Sequence, residues 1–526
     1  MSSVESRPAT PTPSSNKPVA VIDIGTSSVR MAIAEISPQG EVRTLETLTQ
    51  AVSLGKDAFT GGAIAKSTIE DCVRVLKSYR KVLREYSIDL AEHVRVVATS
   101  AVREATNRLA FVDRVYIATG FQVDPIDEAE VNRITFLGIQ PLLTADQSLA
   151  SSRAVVTEIG GGSTEMLLVK QGDVVYSHTY RLGSLRLRET LEAFRAPTVK
   201  LRHIMETHIL RTVEEMVEHV SGEGPIELIA MGGDVRVAAR YLTPGWDGRS
   251  LVRMPLAGLE EFTDRVLGMS DDRLVRKFQL SYPDAETLGP ALLAYVLLAR
   301  ELKVRELLIT NVNLRDGLLK EMSTGSSWSK EFSKQIIRSA IDLGRKYGFD
   351  EQHALHVADL SSSLFHQLRD EHQLPPRYEV ILYTAALLHE VGLFVSNRSY
   401  HKHSLYVIRN SELFGLAKRD LLLAALIARY HRRASPQPTH EGYSTLDRDG
   451  RVAVAKLAAI LRVAVALDES RSQRIHEATC HQEGGRLVIS IPRVEDLSLE
   501  QLALKQNGLL FEETFGMPVL LRMARR

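Results

Sequence analysis

Two stretches of this chain share one pattern: a short apolar strand, a turn of small residues, and a strand running back. The first copy is Val19–Ile24, Gly25-Thr26-Ser27-Ser28 and Arg30–Ile36; the second is Ala154–Ile159, Gly160-Gly161-Gly162-Ser163 and Thr164–Lys170. Apolar runs bounded by glycine and hydroxyl residues read as hairpins. In each copy a carboxylate, Asp23 or Glu158, stands just before the first glycine. A duplicated unit of this kind predicts an α/β fold with two lobes, whose turns face one another across a cleft.

The rest of the chain fits that frame up to about residue 324. Glu41–Ser53 predicts a third strand, Ser67–Tyr86 a helix with Ile69, Val73, Leu76, Val82 and Leu83 on one face, His93–Ala98 a strand and Arg108–Ala118 a helix. Asp173–Tyr180 reads as the hairpin partner of the second copy. At 526 residues the chain exceeds what one core supports. We divide it into a disordered Ser/Pro/Thr-rich tail (1–17), a first lobe (18–140), a second lobe (141–324), an all-α domain (325–475) and a small α+β appendage (476–526). The all-α assignment rests on Lys330–Tyr347, Glu351–Arg369, Arg377–Leu393, His403–Leu413, Lys418–Arg429 and Val452–Leu467, which all read as helices. In the appendage, Arg486–Ile491 and Val519–Met523 read as strands around a helix, Ser498–Leu510.

Composition narrows the class of partner. Lys and Arg together number 65, as do Asp and Glu, so the formal charge is zero, which argues against a nucleic-acid backbone or an anionic membrane as the main partner. The longest apolar stretch, Leu292–Ala299, falls short of the ~18 residues of a membrane span. Cys72 and Cys480 are the only cysteines, too few for a disulfide framework or a cysteine zinc site; their use points to a reducing cytoplasm.

The turns carry the chemistry. In Asp23-Ile-Gly-Thr-Ser-Ser-Val-Arg30, glycine lets backbone N–H groups point inward and the hydroxyls add donors, so the turn can cradle a phosphate while Asp23 holds a metal or its water. Three successive glycines at 160–162 cost backbone entropy that a close ligand approach justifies. Glu158 and Glu165 flank them; phosphate between carboxylates implies a bridging cation, Mg²⁺. Plain hairpin turns are the alternative for both segments.

Taken together, the two loops resemble the phosphate-binding loops of the actin, Hsp70 and sugar-kinase fold, which is ribonuclease H-like in each lobe. Within that superfamily they resemble the Ppx/GppA phosphatases, the exopolyphosphatases and guanosine pentaphosphate phosphohydrolases. Ala98-Thr-Ser-Ala-Val-Arg103-Glu-Ala-Thr-Asn107, Arg181-Leu-Gly-Ser-Leu-Arg-Leu187, Met231-Gly-Gly-Asp234 and Asn313-Leu-Arg-Asp-Gly-Leu318 match further family segments in order. The resemblance spans about 18–324 and, more weakly, the helical part to about 480. It implies phosphate binding by Gly25, Thr26, Ser27, Ser28, Arg30, Arg103, Gly160, Gly161, Gly162 and Ser163, and metal binding by Asp23, Glu158 and Glu165. It also implies Mg²⁺ with K⁺ as activator, and a homodimer.

Two positions depart from the family pattern. Its Asp at the start of the second loop is Glu158 here, and its Glu-Glu-Ala-Arg helix start aligns with Glu130-Val131-Asn132-Arg133, which places valine where the family's base stands. Glu130 with Glu165 in reserve is the expected catalytic pair; Glu128 as substitute, or lost hydrolysis, are the alternatives. The order His356, His389-Glu390, His403, His431, Asp468 resembles an HD-type metal phosphohydrolase domain, although we expect a structural or chain-binding role. Arg429, His431, Arg432 and Arg433, with Lys402 and Arg409, form a basic cluster that either extends a polyanion groove or is a solvated helix face. The expected activity is an exopolyphosphatase, an acid-anhydride hydrolase; the alternatives are guanosine pentaphosphate hydrolysis, a catalytically weak polyphosphate or alarmone sensor, and, third, an ATP-dependent kinase.

Overall fold

The computed structural model describes residues 16–146, 149, 152–193, 200–220, 224–324 and 330–524. The tail expected over 1–17 therefore lies outside the described residues except for its last two, and Lys17 already opens the first strand. The chain forms two compact units, Met1–Ser327 and Trp328–Arg526.

The first unit contains two sheets of matching topology. Strands β1 (Lys17–Ile24), β2 (Ser28–Ile36), β3 (Val42–Ala51), β4 (Val94–Ala98) and β5 (Val123–Pro125) form a sheet in the order β3-β2-β1-β4-β5. Strands β6 (Arg153–Ile159), β7 (Thr164–Lys170), β8 (Asp173–Tyr180), β9 (Ile226–Met231), β10 (Val252–Pro255) and β11 (Glu306–Ile309) form the other, in the order β10-β11-β9-β6-β7-β8. In each sheet an antiparallel three-strand meander is continued by parallel strands reached through helical crossovers. β10 is an added antiparallel edge. The duplication inferred from the turns is thus a duplication of whole sheets, and the fold is the two-lobed α/β arrangement expected.

Burial explains the strand order. β1 is buried on both faces from Val19 to Ile24, as a central strand flanked by helices must be. β3, at the edge, is mostly exposed. The apolar stretch Leu292–Ala299 lies within the helix Tyr282–Glu301, whose Leu288, Leu292, Tyr295 and Leu298 are all buried in the second-lobe core. A helix apolar all round belongs in a core. No described helix is long and apolar enough to cross a membrane.

Several elements differ from expectation. The helices Leu54–Gly61 and Ser100–Glu104 are short and carry too few turns to show a period. The lobe boundary set at 140/141 falls inside the helix Glu128–Ala145. The helix Leu314–Thr324, assigned to the second lobe, instead packs Leu314, Leu318 and Leu319 against Val19, Val21, Val131 and Ile134 of the first. Sequence distance hid this return of the chain to its first sheet.

In the second unit the helices Lys330–Lys346, Glu351–Gln367, Arg377–Leu388, Tyr400–Arg409, Lys418–Arg429 and Arg448–Leu467 carry no strand between them among the described residues up to 478. Strands β12 (Thr479–Glu483), β13 (Arg486–Ile491) and β14 (Val519–Met523) then form a three-stranded sheet. The single helix expected at Ser498–Leu510 is two, Ser498–Asn507 and Leu509–Phe515, divided at Gly508.

Candidate active site

The two turns share part of their backbone wiring. In the first, the Gly25 N–H donates to Ser28 O (3.0 Å), while Thr26 O accepts from Gly55 N–H (2.7 Å) and Ser27 O from Val52 N–H (3.0 Å). In the second, Gly160 N–H donates to Ser163 O (2.9 Å), while Gly160 O accepts from Ser184 N–H (2.9 Å) and Gly161 O from Arg186 N–H (3.0 Å). Arg186 Nε donates to Gly162 O (2.8 Å). The turn carbonyls are drawn toward the segment that follows each meander, which turns the tip N–H groups toward whatever acceptor lies in front of them.

The turns also meet. A Cβ on Gly161 would overlap Thr26 Oγ1, and one on Gly162 would overlap Ser100 Oγ and come within 2.6 Å of Phe59 Cζ. Asp23, Gly25, Thr26, Ser27, Arg30, Arg103, Glu158, Gly160, Gly161, Gly162, Ser163 and Glu165 all line one cavity of about 420 Å³. Glycine is required behind the loop as well. A Cβ at Gly183 would strike the Gly161–Gly162 peptide, with Gly161 C at 2.6 Å, and backbone cannot rotate away. Gly183→Ala should therefore displace the loop and lower the kcat/KM of the reaction that the cleft carries by about 10²-fold. Gly61→Ala, whose Cβ meets nothing within 4 Å, serves as the silent control.

Charge in the cavity is mixed. Arg30, Arg103, Arg236, Arg240 and Arg315 line it with Asp23, Glu158, Glu165, Asp234 and Asp284. Register places Arg30 opposite Asp23 and Glu165 opposite Glu158, so the same hairpin position carries a cation in one lobe and an anion in the other. Asp23 is buried; its Oδ2 lies 3.5 Å from Arg315 and 3.9 Å from Arg30, while its Oδ1 has no hydrogen-bond partner. Glu165 is recessed rather than sealed, and accepts a 2.6 Å hydrogen bond from Ser163 Oγ. Burial pushes its carboxyl up to about 7, against the pull of Ser163 and with a further push from Glu158. Burial likewise raises Glu158, opposed by Arg236 and Arg30, and lifts Asp234 to about 7 with Asp284 adding to it.

A divalent cation fits this donor set. An acceptor-only oxygen, Asp23 Oδ1, is buried without a donor, and Glu158 lines the same cavity. Mg²⁺ is ordinarily held by one or two carboxylates, waters and substrate phosphates rather than by a protein cage.

Two expected residues are not brought to the cavity. Glu130 turns away: its Oε2 accepts from Arg133 Nε (2.8 Å) and its Oε1 from Arg133 Nη2 (2.6 Å), and Arg133 is itself buried and bonded to Glu321. One helical step of about 100° separates Glu130 from Val131, and Val131 is the one that faces the cavity. Glu130 is thus corrected from a candidate base to an ion-pair partner. Ser28 opens β2 and points into buried surroundings, so its hydroxyl does not join the cradle.

Other lining residues were missed. Thr99 and Ser100 precede Arg103 in the segment quoted for that arginine alone. Asp234, Arg236 and Arg240 follow the turn at Gly232, whose φ of 109° requires glycine, and Arg315 comes from the Asn313-Leu-Arg-Asp segment. These motifs gave a signal; what no spacing gave was the side of the turn that each residue takes. Tyr295, also unforeseen, is buried, accepts from Ile159 N–H (2.9 Å) and donates to Met231 O, which ties the second loop to the Gly232 turn.

In the second unit, His431 is 2% exposed, which removes it from any solvent-facing polyanion groove. Arg432 sits over the Tyr400 ring (4.8 Å), and Arg409 pairs with Glu441 (3.0 Å).

Comparison with known proteins agrees with this geometry. The model of the Ppx/GppA phosphatase family matches residues 31–325, and that of Ppx/GppA phosphatase domain III matches residues 337–513. The guanosine-5'-triphosphate,3'-diphosphate pyrophosphatase of Vibrio vulnificus is 23% identical over 484 residues, covering 90% of this chain and 92% of its own. The protein of that name from Photobacterium profundum is 24% identical over 459 residues, covering 86% and 87%. The crystal structure of an exopolyphosphatase from Cytophaga hutchinsonii shares the fold, with a TM-score of 0.53 at 21% identity over 60% of this chain and 100% of its own.

Proposed function

The chain belongs to the Ppx/GppA phosphatase family, and on that premise we propose that its cleft hydrolyses the terminal phosphoanhydride of guanosine pentaphosphate, releasing orthophosphate. The observation that carries this reading is the meeting of the two turns at Thr26 and Gly161, with the tip carbonyls tied back and the N–H groups of Thr26, Ser27, Gly161 and Gly162 left for phosphate oxygens. The full-length relatives named for this substrate support it over the polyphosphate reading that we placed first from sequence. So does the cavity wall, where the partly exposed Val237 and Leu280 stand beside the arginines, an apolar surface that a nucleoside uses and a bare polyphosphate does not.

The residues divide the work. Turn amides and Arg103 take up the charge that develops on the phosphoryl oxygens. Arg30, Arg236 and Arg315 hold the rest of the chain of phosphates. Glu165 accepts the proton of a water whose oxygen attacks the terminal phosphorus in line as the bridging P–O bond breaks, and the electron pair leaves with the shortened nucleotide. Asp23 and Glu158 would hold Mg²⁺, which when bound neutralises charge on the phosphate oxygens. Positioning and charge neutralisation supply most of the rate in such chemistry.

A second substrate, inorganic polyphosphate, is favoured by the five arginines in one cleft. Orthophosphate release from each substrate in Mg²⁺ buffer decides between them; kcat/KM should be higher for guanosine pentaphosphate. Tight binding of either without release would reduce the chain to a sensor. Val131→Glu tests the departure from the family pattern. With Glu165 already the base, it should leave kcat unchanged or lower and raise KM, because a further carboxylate in the cavity repels the phosphate. A kcat rise of about ten-fold or more would return the base to the helix start.

A further inference from the structure

The helical unit holds a cluster that the cleft chemistry does not use. His353 stands in the first turn of the helix Glu351–Gln367, and His389 and Glu390 follow the helix Arg377–Leu388. His353, His389 and Glu390 each offer a ligand atom within 4.8 Å of the others, and among the described residues no other group of three does so. This differs from the order read in sequence: His353, one turn earlier on the helix, replaces His356, and His403 lies outside the group.

Hydrogen bonds set the tautomers. His389 Nδ1 lies 2.6 Å from Ala386 O, an acceptor, so Nδ1 carries the proton and Nε2 the lone pair. That Nε2 is buried with no hydrogen-bond partner, and the residue is 1% exposed. His353 Nδ1 lies 2.7 Å from Asp468 Oδ2, which fixes its ring in the same sense. A carboxylate or carbonyl behind Nδ1 is the arrangement by which proteins orient metal-binding imidazoles. Around the pair, His431 Nδ1 lies 2.5 Å from Ala428 O, and its Nε2 accepts from Tyr400 Oη at 3.2 Å.

We propose that the helical unit binds one divalent transition-metal ion through Nε2 of His353, Nε2 of His389 and the carboxylate of Glu390, with Asp468 and Ala386 O orienting the rings. Two imidazoles and one carboxylate select zinc, cobalt or nickel over Mg²⁺, so this ion is chemically distinct from the one expected in the cleft. Its role is structural. Both histidines are buried, and Arg471 covers Glu390 from the solvent side with bonds of 2.7 and 2.8 Å to its two oxygens. The ion would fasten the starts and ends of helices far apart in sequence, since Asp468 terminates Arg448–Leu467.

The test is metal content. Full-length protein stripped with chelator, exposed to excess zinc and dialysed should retain one zinc per chain. Zinc should also raise its unfolding temperature, because it binds the folded state alone. The double variant His353→Asn/His389→Asn should lose both effects while Asp23→Asn, in the cleft, keeps them. Asp468→Asn, a positioning residue, should weaken zinc affinity by about 10–100-fold without abolishing it. If the double variant fails to fold, cobalt absorption of the unaltered protein decides: an intense visible band of low-coordinate Co²⁺ supports the site. Failure of the unaltered protein to retain zinc or to give that band would overturn the proposal, as would full retention by the folded double variant.

Discussion

Phosphate release by Glu165→Gln should fall by about 10²–10⁴-fold, with substrate binding retained. The amide keeps the shape of the carboxyl and its contact with Ser163 Oγ but cannot accept a proton from water. A pH profile separates loss of a base from loss of fold. Burial holds the Glu165 carboxyl near 7, and a base works only when deprotonated, so kcat of the unaltered enzyme should climb as pH passes through about 7. In Glu165→Gln that limb should be absent. Stability should move the other way. A carboxyl raised by folding binds more protons in the folded state, so it costs stability as pH rises from its ordinary range through about 7. The Gln variant at pH 8 should thus be at least as stable as its parent while nearly inactive. An inactive variant that melts early would point to damage instead, and an active one would remove Glu165 from the mechanism.

The sequence made the turns legible because their chemistry is local. Glycine and hydroxyl residues between two apolar strands report a backbone conformation, and Asp23 and Glu158 take their place from the strand that precedes each turn. Glu130 and Val131 were not legible in the same way. Their neighbours depend on which of two adjacent helical positions faces the cleft, and that is set by Glu321, 188 residues beyond Arg133. His353 and His356 pose the same problem on a second helix. The one chosen is the one that meets Asp468, 115 residues away. Residues whose roles follow from turn geometry can be read along the chain; residues whose roles follow from helix rotation need the tertiary partner.

The pairing of Arg30 with Asp23 and of Glu165 with Glu158 gives the duplicated hairpins opposite characters. In the first lobe a guanidinium and Arg315 neutralise the strand carboxylate, leaving one oxygen free for a cation. In the second, two carboxylates face each other, and burial, with Glu158 adding to it, raises the proton affinity of Glu165. On the proposed reading one hairpin suits binding and the other proton transfer, so that two copies of one supersecondary unit make a single asymmetric site.

The correction at Glu130 yields the second large effect. Arg133 Nη2 lies 2.6 Å from both Glu130 and Glu321, in a position 1% exposed, and this contact joins the helices Glu128–Ala145 and Leu314–Thr324. Arg133→Met should lower unfolding free energy by about 3–5 kcal/mol in denaturant titrations, because it removes the cation and leaves buried Glu321 with only the more exposed Arg95, 3.1 Å away. Adding Glu321→Leu to that variant should recover much of the loss, since an apolar pair of similar volume avoids the desolvation of the ion pair. Turnover distinguishes this role from catalysis. If Glu130 serves structure alone, Glu130→Gln loses stability yet keeps kcat within a few-fold, whereas a base at that position would lose about 10²–10⁴-fold. The cavity lies on the Val131 side of the helix. Stability and activity should therefore part company at Glu130, which governs the first, while the adjacent Val131 is the one that reaches the cavity.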